Sequence, residues 1–138
     1  MSIHDLIGVN GQYAIGYLNA HALDLIEQRM CKYEEDYTLF GQVNWWLHYI
    51  VGAEIKTIQI PGTDYVQASY SMNDINEIRP QNIGSGVSYL ISVLVVCLAS
   101  LKDSVLVIEN PEIHLHPSAQ SRVAEFLYFI SQCDRQLF

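Results

Sequence analysis

The chain has 138 residues, 7 Lys+Arg against 15 Asp+Glu, a formal net charge of −8 and half of its residues hydrophobic. That is the size and apolar content of one globular domain, and it excludes a disordered tail and low-complexity, collagen-like or coiled-coil chains. Seven scattered basic residues give no electrostatic footprint for a duplex, so DNA contact is expected only through other chain segments.

Cys31, Cys97 and Cys133 are far apart, odd in number and without a Cys-x-x-Cys pair. This argues against a disulfide framework or a zinc knuckle and fits a reduced, cytoplasmic setting. Met1-Ser2-Ile3-His4-Asp5 has neither the basic flank nor the apolar stretch of a secretory signal. The longest apolar run, Tyr89 to Leu101, is interrupted by Ser92 and Ser100 and falls short of the roughly 20 residues that span a bilayer. A buried helix and no membrane association are expected.

In chain order, Leu23, Ile26 and Met30 predict an amphipathic helix over Asn19 to Lys32. An acidic patch, Glu34-Glu35-Asp36, comes next, and Val43, Trp46, Leu47 and Ile50 then recur at helical intervals, with the Trp pair expected in the core. Ile55 to Ile60 and Tyr65 to Met72 read as strands of a hairpin around Pro61-Gly62-Thr63-Asp64. Asn82 to Ser88 is a small-residue loop, Tyr89 to Ala99 a helix, Ser104 to Glu109 a buried strand, and Pro117 to Gln132 a helix. In that last helix Val123, Phe126, Leu127 and Ile130 make one apolar stripe to lay on a sheet. Helix, buried strand, helix is an α/β pattern. Gln136-Leu137-Phe138 looks like the opening of another core strand, as though the chain were cut there. No repeat or linker divides the sequence: one partial domain is expected over 1–138, with a helical and hairpin region in 1–80 and an α/β region in 81–138.

Two features carry chemistry. Val105-Leu106-Val107-Ile108-Glu109-Asn110-Pro111-Glu112 is four apolar residues and then acid, amide, proline and acid. A buried parallel strand delivers the residues after it to the carboxyl edge of the sheet, where ligands of open α/β folds bind. A carboxylate there suits Mg²⁺, a hard ion that takes oxygen ligands and leaves room for phosphate and water. The plain structural alternative is a strand whose acids only cap and solvate its end. The second feature is Asn82-Ile83-Gly84-Ser85-Gly86-Val87-Ser88, directly before a helix. Its glycines allow close backbone approach, the helix start offers unpaired N–H groups, and Ser85 and Ser88 add hydroxyls, so the loop can hold a phosphate. The same residues also make an ordinary turn and N-cap.

The order of small-residue loop, apolar helix, acid-tipped strand, Pro-Glu-Ile-His-Leu-His-Pro and amphipathic helix resembles the second half of an ABC-type ATPase head. It is most similar to the RecF/SMC-like and OLD-like (overcoming lysogenization defect) AAA-labelled ATPases, firmly over Ile83 to Ile130. The helix Gln42-Val43-Asn44-Trp45-Trp46-Leu47 resembles an uncharacterised bacterial branch of that group. The resemblance implies a partial P-loop NTPase fold, with a mostly parallel sheet flanked by helices, plus the β-hairpin. It implies ATP and Mg as cofactors. Gly84, Ser85 and Gly86, with Ser88 after them, match the signature loop that contacts the γ-phosphate of a nucleotide on the opposite protomer. Glu109 matches the Walker B acid that positions Mg²⁺, usually Asp. Asn110 falls where many such enzymes place the catalytic glutamate. An amide orients water but cannot take its proton, so turnover is expected to be slow unless Glu112 is the base. The signature serine is displaced, Gly84 standing at its usual position.

His114 and His116 are spaced to face one side of an extended segment beside Glu112, which raises an outside reading as a metal-dependent hydrolase. His4, His21 and His48 are isolated, and Cys97 and Cys133 are expected as buried small hydrophobes. No Gly-Lys dipeptide occurs in the sequence, so the P-loop lysine is missing, as is the strand and switch histidine expected after Phe138. The chain alone is therefore expected to be inactive, with a P-loop half supplied in cis or in trans and a head-to-head homodimer closing the ATP site. Exposed strand edges invite such pairing. The competing expectation is a non-catalytic, ATPase-like interaction module docking through its acidic, Trp-bearing half.

Overall fold

The computed structural model describes residues 14–72, 75–78, 85–100, 105–106, 108, 115–133 and 135–137. The first helix among the described residues, α1 (Ala14–His21), buries Ala14 and Leu18 and stops well before the Lys32 expected from the sequence. The chain then runs extended, and only Gln28–Met30 make a turn of 3₁₀ helix. The reason lies in the next helix, α2 (Leu39–Val51). The first N–H groups of a helix have no intrahelical acceptor. Here Leu39 N donates to Asp24 O at 2.9 Å and Phe40 N to Ala22 O at 3.0 Å. Ile26 N donates to Tyr37 O, and Leu25 bridges Thr38 in antiparallel fashion. Ala22 and Asp24 thus give their carbonyls to α2 instead of to a helix of their own. Leu23 and Leu25 are left 82% and 79% exposed, so the helical spacing of Leu23 carried no packing signal.

α2 is capped at both ends. The Thr38 hydroxyl accepts from Gly41 N at 3.1 Å, and Gly52 turns left-handed at φ 74° while its N–H reaches His48 O. Val43, Trp46, Leu47 and Ile50 are buried at the expected intervals. Asn44 spans to the next strand, accepting from Ile55 N at 2.8 Å and donating to Ile55 O at 3.1 Å. That strand, β1 (Ala53–Gln59), pairs antiparallel with β2 (Val66–Met72) from Ala53↔Met72 to Gln59↔Val66, close to the predicted hairpin. Gly62, in the connecting turn, has φ 79° and makes the bend without a Cβ penalty. A third strand, β3 (Ile75–Ile78), extends the sheet in the order β1-β2-β3 and was not expected. Ala53, Ile55, Ala68 and Tyr70 face the core, against α1 and α2, while the outer half of the hairpin leaves Ile58 and Tyr65 exposed.

α3 (Ser85–Ala99) is apolar on all sides, and every residue from Leu90 to Leu98 is buried, as a core helix requires. It packs on α1 and α2. The short strand β4 (Val105–Leu106) pairs in parallel with β5 (Gln136–Leu137), the one parallel pairing among the described residues. Residues 104, 107 and 109 of the expected strand lie outside the described residues. α4 (Pro117–Ser131) matches its prediction, with Pro117 opening the helix. The helix contacts both α2 and β5, and the Trp46 ring of α2 stands edge-on to the buried Phe126 at 4.9 Å between centroids. All three cysteines are free.

Candidate functional site

The glycine-rich motif falls at the start of α3. Ser85, Gly86, Val87 and Ser88 form its first turn, so the loop expected to run to Ser88 ends earlier. Serine and glycine are compatible with a first turn because the N–H groups there bond outward, not along the helix. Gly86 is buried, Ser88 is exposed, and Ser88 O accepts from the Ser92 hydroxyl at 3.3 Å. Gly84 lies outside the described residues. The first turn carries no acidic residue, so the partial positive end of this 15-residue helix is not neutralised by its own side chains.

The acid-tipped strand is described in part. Val105 and Leu106 are paired, and Ile108 is half-buried against the core. Glu109, Asn110, Glu112 and His114 lie outside the described residues. His116 is described, and it caps α4: its Nδ1 accepts from Ser118 N at 3.2 Å and lies 2.9 Å from the Ser118 hydroxyl. Gln120 Nε2 donates to Leu115 O at 3.0 Å and closes the same turn. His116 thus has a structural task of its own. Among the described residues no group of His, Cys, Asp and Glu gathers to hold a metal ion.

Of the other histidines, His21 stacks on Tyr17 and pairs with Asp24 at 2.8 Å, and His48 is exposed on α2. Cys97 is fully buried, and burial pushes its thiol up to about 12, which leaves no nucleophile there. Cys133 is also buried.

Two features were not read from the sequence. Arg135 is 5% exposed, and its guanidinium donates to Ser100 O at 2.7 Å, to the Ser100 hydroxyl at 3.2 Å and to Cys133 O at 2.5 Å. It fastens the end of α3 to the start of β5, and nothing in its local sequence marks it as buried. The other is a cleft of about 490 Å³ between α2 and α4, lined by Trp45, Trp46, Tyr49, Tyr128 and Phe129. The spacing of Trp45 and Tyr49, one helical turn apart, was its only sequence signal.

Among the described residues no helix is long and apolar enough to cross a membrane. The chain matches no curated protein and no solved structure. The family model described as "AAA domain, putative AbiEii toxin, Type IV TA system" matches residues 8–138, nearly the whole sequence and both candidate nucleotide motifs. The chain belongs to this family of AAA-type ATPases.

Proposed function

We propose that this chain is part of the ATP-binding head of a RecF/SMC-like or OLD-like ATPase, contributing the signature loop and the Walker B acid. The observation that carries this reading is the match over residues 8–138, with Ser85 to Ser88 on the uncharged first turn of α3. The backbone N–H groups of that turn, with the Ser85 and Ser88 hydroxyls, bind phosphate oxygens. Glu109 positions Mg²⁺, whose charge would offset that of the phosphates. Asn110 orients the attacking water and Glu112 takes its proton, because the amide itself cannot act as a base; without Glu112 hydrolysis is slow. The 138 residues hold no Gly-Lys pair, so the lysine of a P-loop comes from outside them, in cis or in trans, and two heads close on the nucleotide.

The test is binding of a fluorescent ATP analogue, with and without Mg²⁺, to the chain together with its P-loop-bearing segment. Glu109→Gln is expected to weaken Mg-dependent binding at least about tenfold, the loss of one charge-assisted contact. Unchanged affinity removes Glu109 from the site.

A further inference from the structure

The cleft between α2 and α4 is aromatic on both walls and has at its edge a lysine that makes no ion pair among the described residues. Its volume of about 490 Å³ is within the usual range of small-molecule sites, and aromatic walls with few polar groups are their usual lining. Trp45 stacks parallel to Tyr49 at 5.4 Å, which fixes the α2 wall. On the α4 wall Tyr128 is 69% exposed, an aromatic face open to a ring.

The polar groups at the edge are not equivalent. Glu125, the one carboxylate of the cleft, accepts from the Tyr49 hydroxyl at 2.6 Å. Arg122 lies over the same Tyr49 ring, 4.8 Å from its centroid, and donates to Tyr49 O at 2.7 Å. The Glu125 carboxylate is thus partly engaged by the Tyr49 hydroxyl. Lys32 differs. Its ammonium stands 5.8 Å above the Phe129 ring centre, and it has no carboxylate partner among the described residues.

We propose that this cleft binds a small aromatic carboxylate, with its ring between the Trp45 and Tyr128 sides and its carboxylate paired to Lys32. Ring stacking supplies affinity for a flat apolar body, and the lone ammonium selects an acid over its neutral analogue. The site shares no residue with the nucleotide motifs and stands whether or not those bind ATP.

The test uses 4-fluorobenzoate and 4-fluorobenzyl alcohol as probes, read by fluorine NMR line broadening. Trp fluorescence is a second readout, because Trp45 and Trp46 are the chain's 2 tryptophans and both line the cleft. The acid is expected to bind about tenfold more tightly than the alcohol, the effect of one charge-assisted hydrogen bond. Lys32→Gln abolishes that preference and leaves the alcohol unaffected, Lys56→Gln on the exposed edge of β1 preserves it, and Trp45→Ala weakens both probes. Equal binding of acid and alcohol, a preference that survives Lys32→Gln, or no binding of either probe overturns the proposal.

Discussion

Gln42 shows how one side chain fixes a loop. It is fully buried, and its amide makes four hydrogen bonds to the backbone of the preceding loop. Oε1 accepts from Lys32 N and Tyr33 N, and Nε2 donates to Tyr33 O and Asp36 O, both at 2.7 Å. Gln42→Ala leaves all four backbone groups without that partner at a partly buried position. It is expected to cost about 3 kcal/mol, measured by urea denaturation, against a value near zero for the exposed His48→Ala. At Cys97 the argument concerns pH. Its thiol titrates at the usual 9.0 in the unfolded chain and at about 12 when folded, so above pH 9 the unfolded state sheds a proton that the native state keeps. The stability tied to this group is complete below pH 9 and declines by about 1.4 kcal/mol per pH unit as the pH rises toward 12. Comparing chemical denaturation of the wild type and Cys97→Ala across that window isolates this slope from that of the tyrosines. Equal slopes would show the thiol to be accessible.

Among elements, α4 joins the first half of the chain through its contact with α2. Phe126 is wholly buried against the Trp46 ring, so Phe126→Ala is expected to cost about 3–5 kcal/mol in urea denaturation. Tyr128→Ala, two residues on and 69% exposed, stays within about 0.5 kcal/mol. The sequence showed α2, the hairpin and α4 because each carries a local signature: capping residues, the Pro-Gly turn, Pro at a helix start and unbroken periodicity. It misled at residues 22–32, where Ile26 and Met30 do pack inward but without a helix between them. The carbonyls of Ala22 and Asp24 bond to N–H groups of Leu39 and Phe40, a tertiary demand that no short window reveals. The start of α3 was placed late for a related reason, since Ser-Gly reads as a loop although both residues are tolerated in a first helical turn. The buried Arg135 was illegible because its carbonyl partners lie on Ser100, far away in sequence, and on Cys133.

At the scale of the whole molecule, α3 is the central fact: a helix apolar on every side, enclosed by α1 and α2, whose first turn is the phosphate-compatible Ser85 to Ser88. The parallel pair β4–β5 with α4 forms an α/β unit. The candidate site was legible in the sequence as a pattern of residue types, the Gly-Ser-Gly loop and the acid after four apolar residues. The aromatic cleft was not, because its walls come from helices about eighty residues apart. Covalent mapping of an ATP analogue carrying a photoreactive group on its γ-phosphate discriminates between the two regions. With the P-loop segment present, labelling is expected within residues 84–88 and to vanish when unmodified ATP competes. Label confined to the Trp45–Tyr128 cleft, or spread without competition, would contradict the assignment of the α3 turn to the triphosphate.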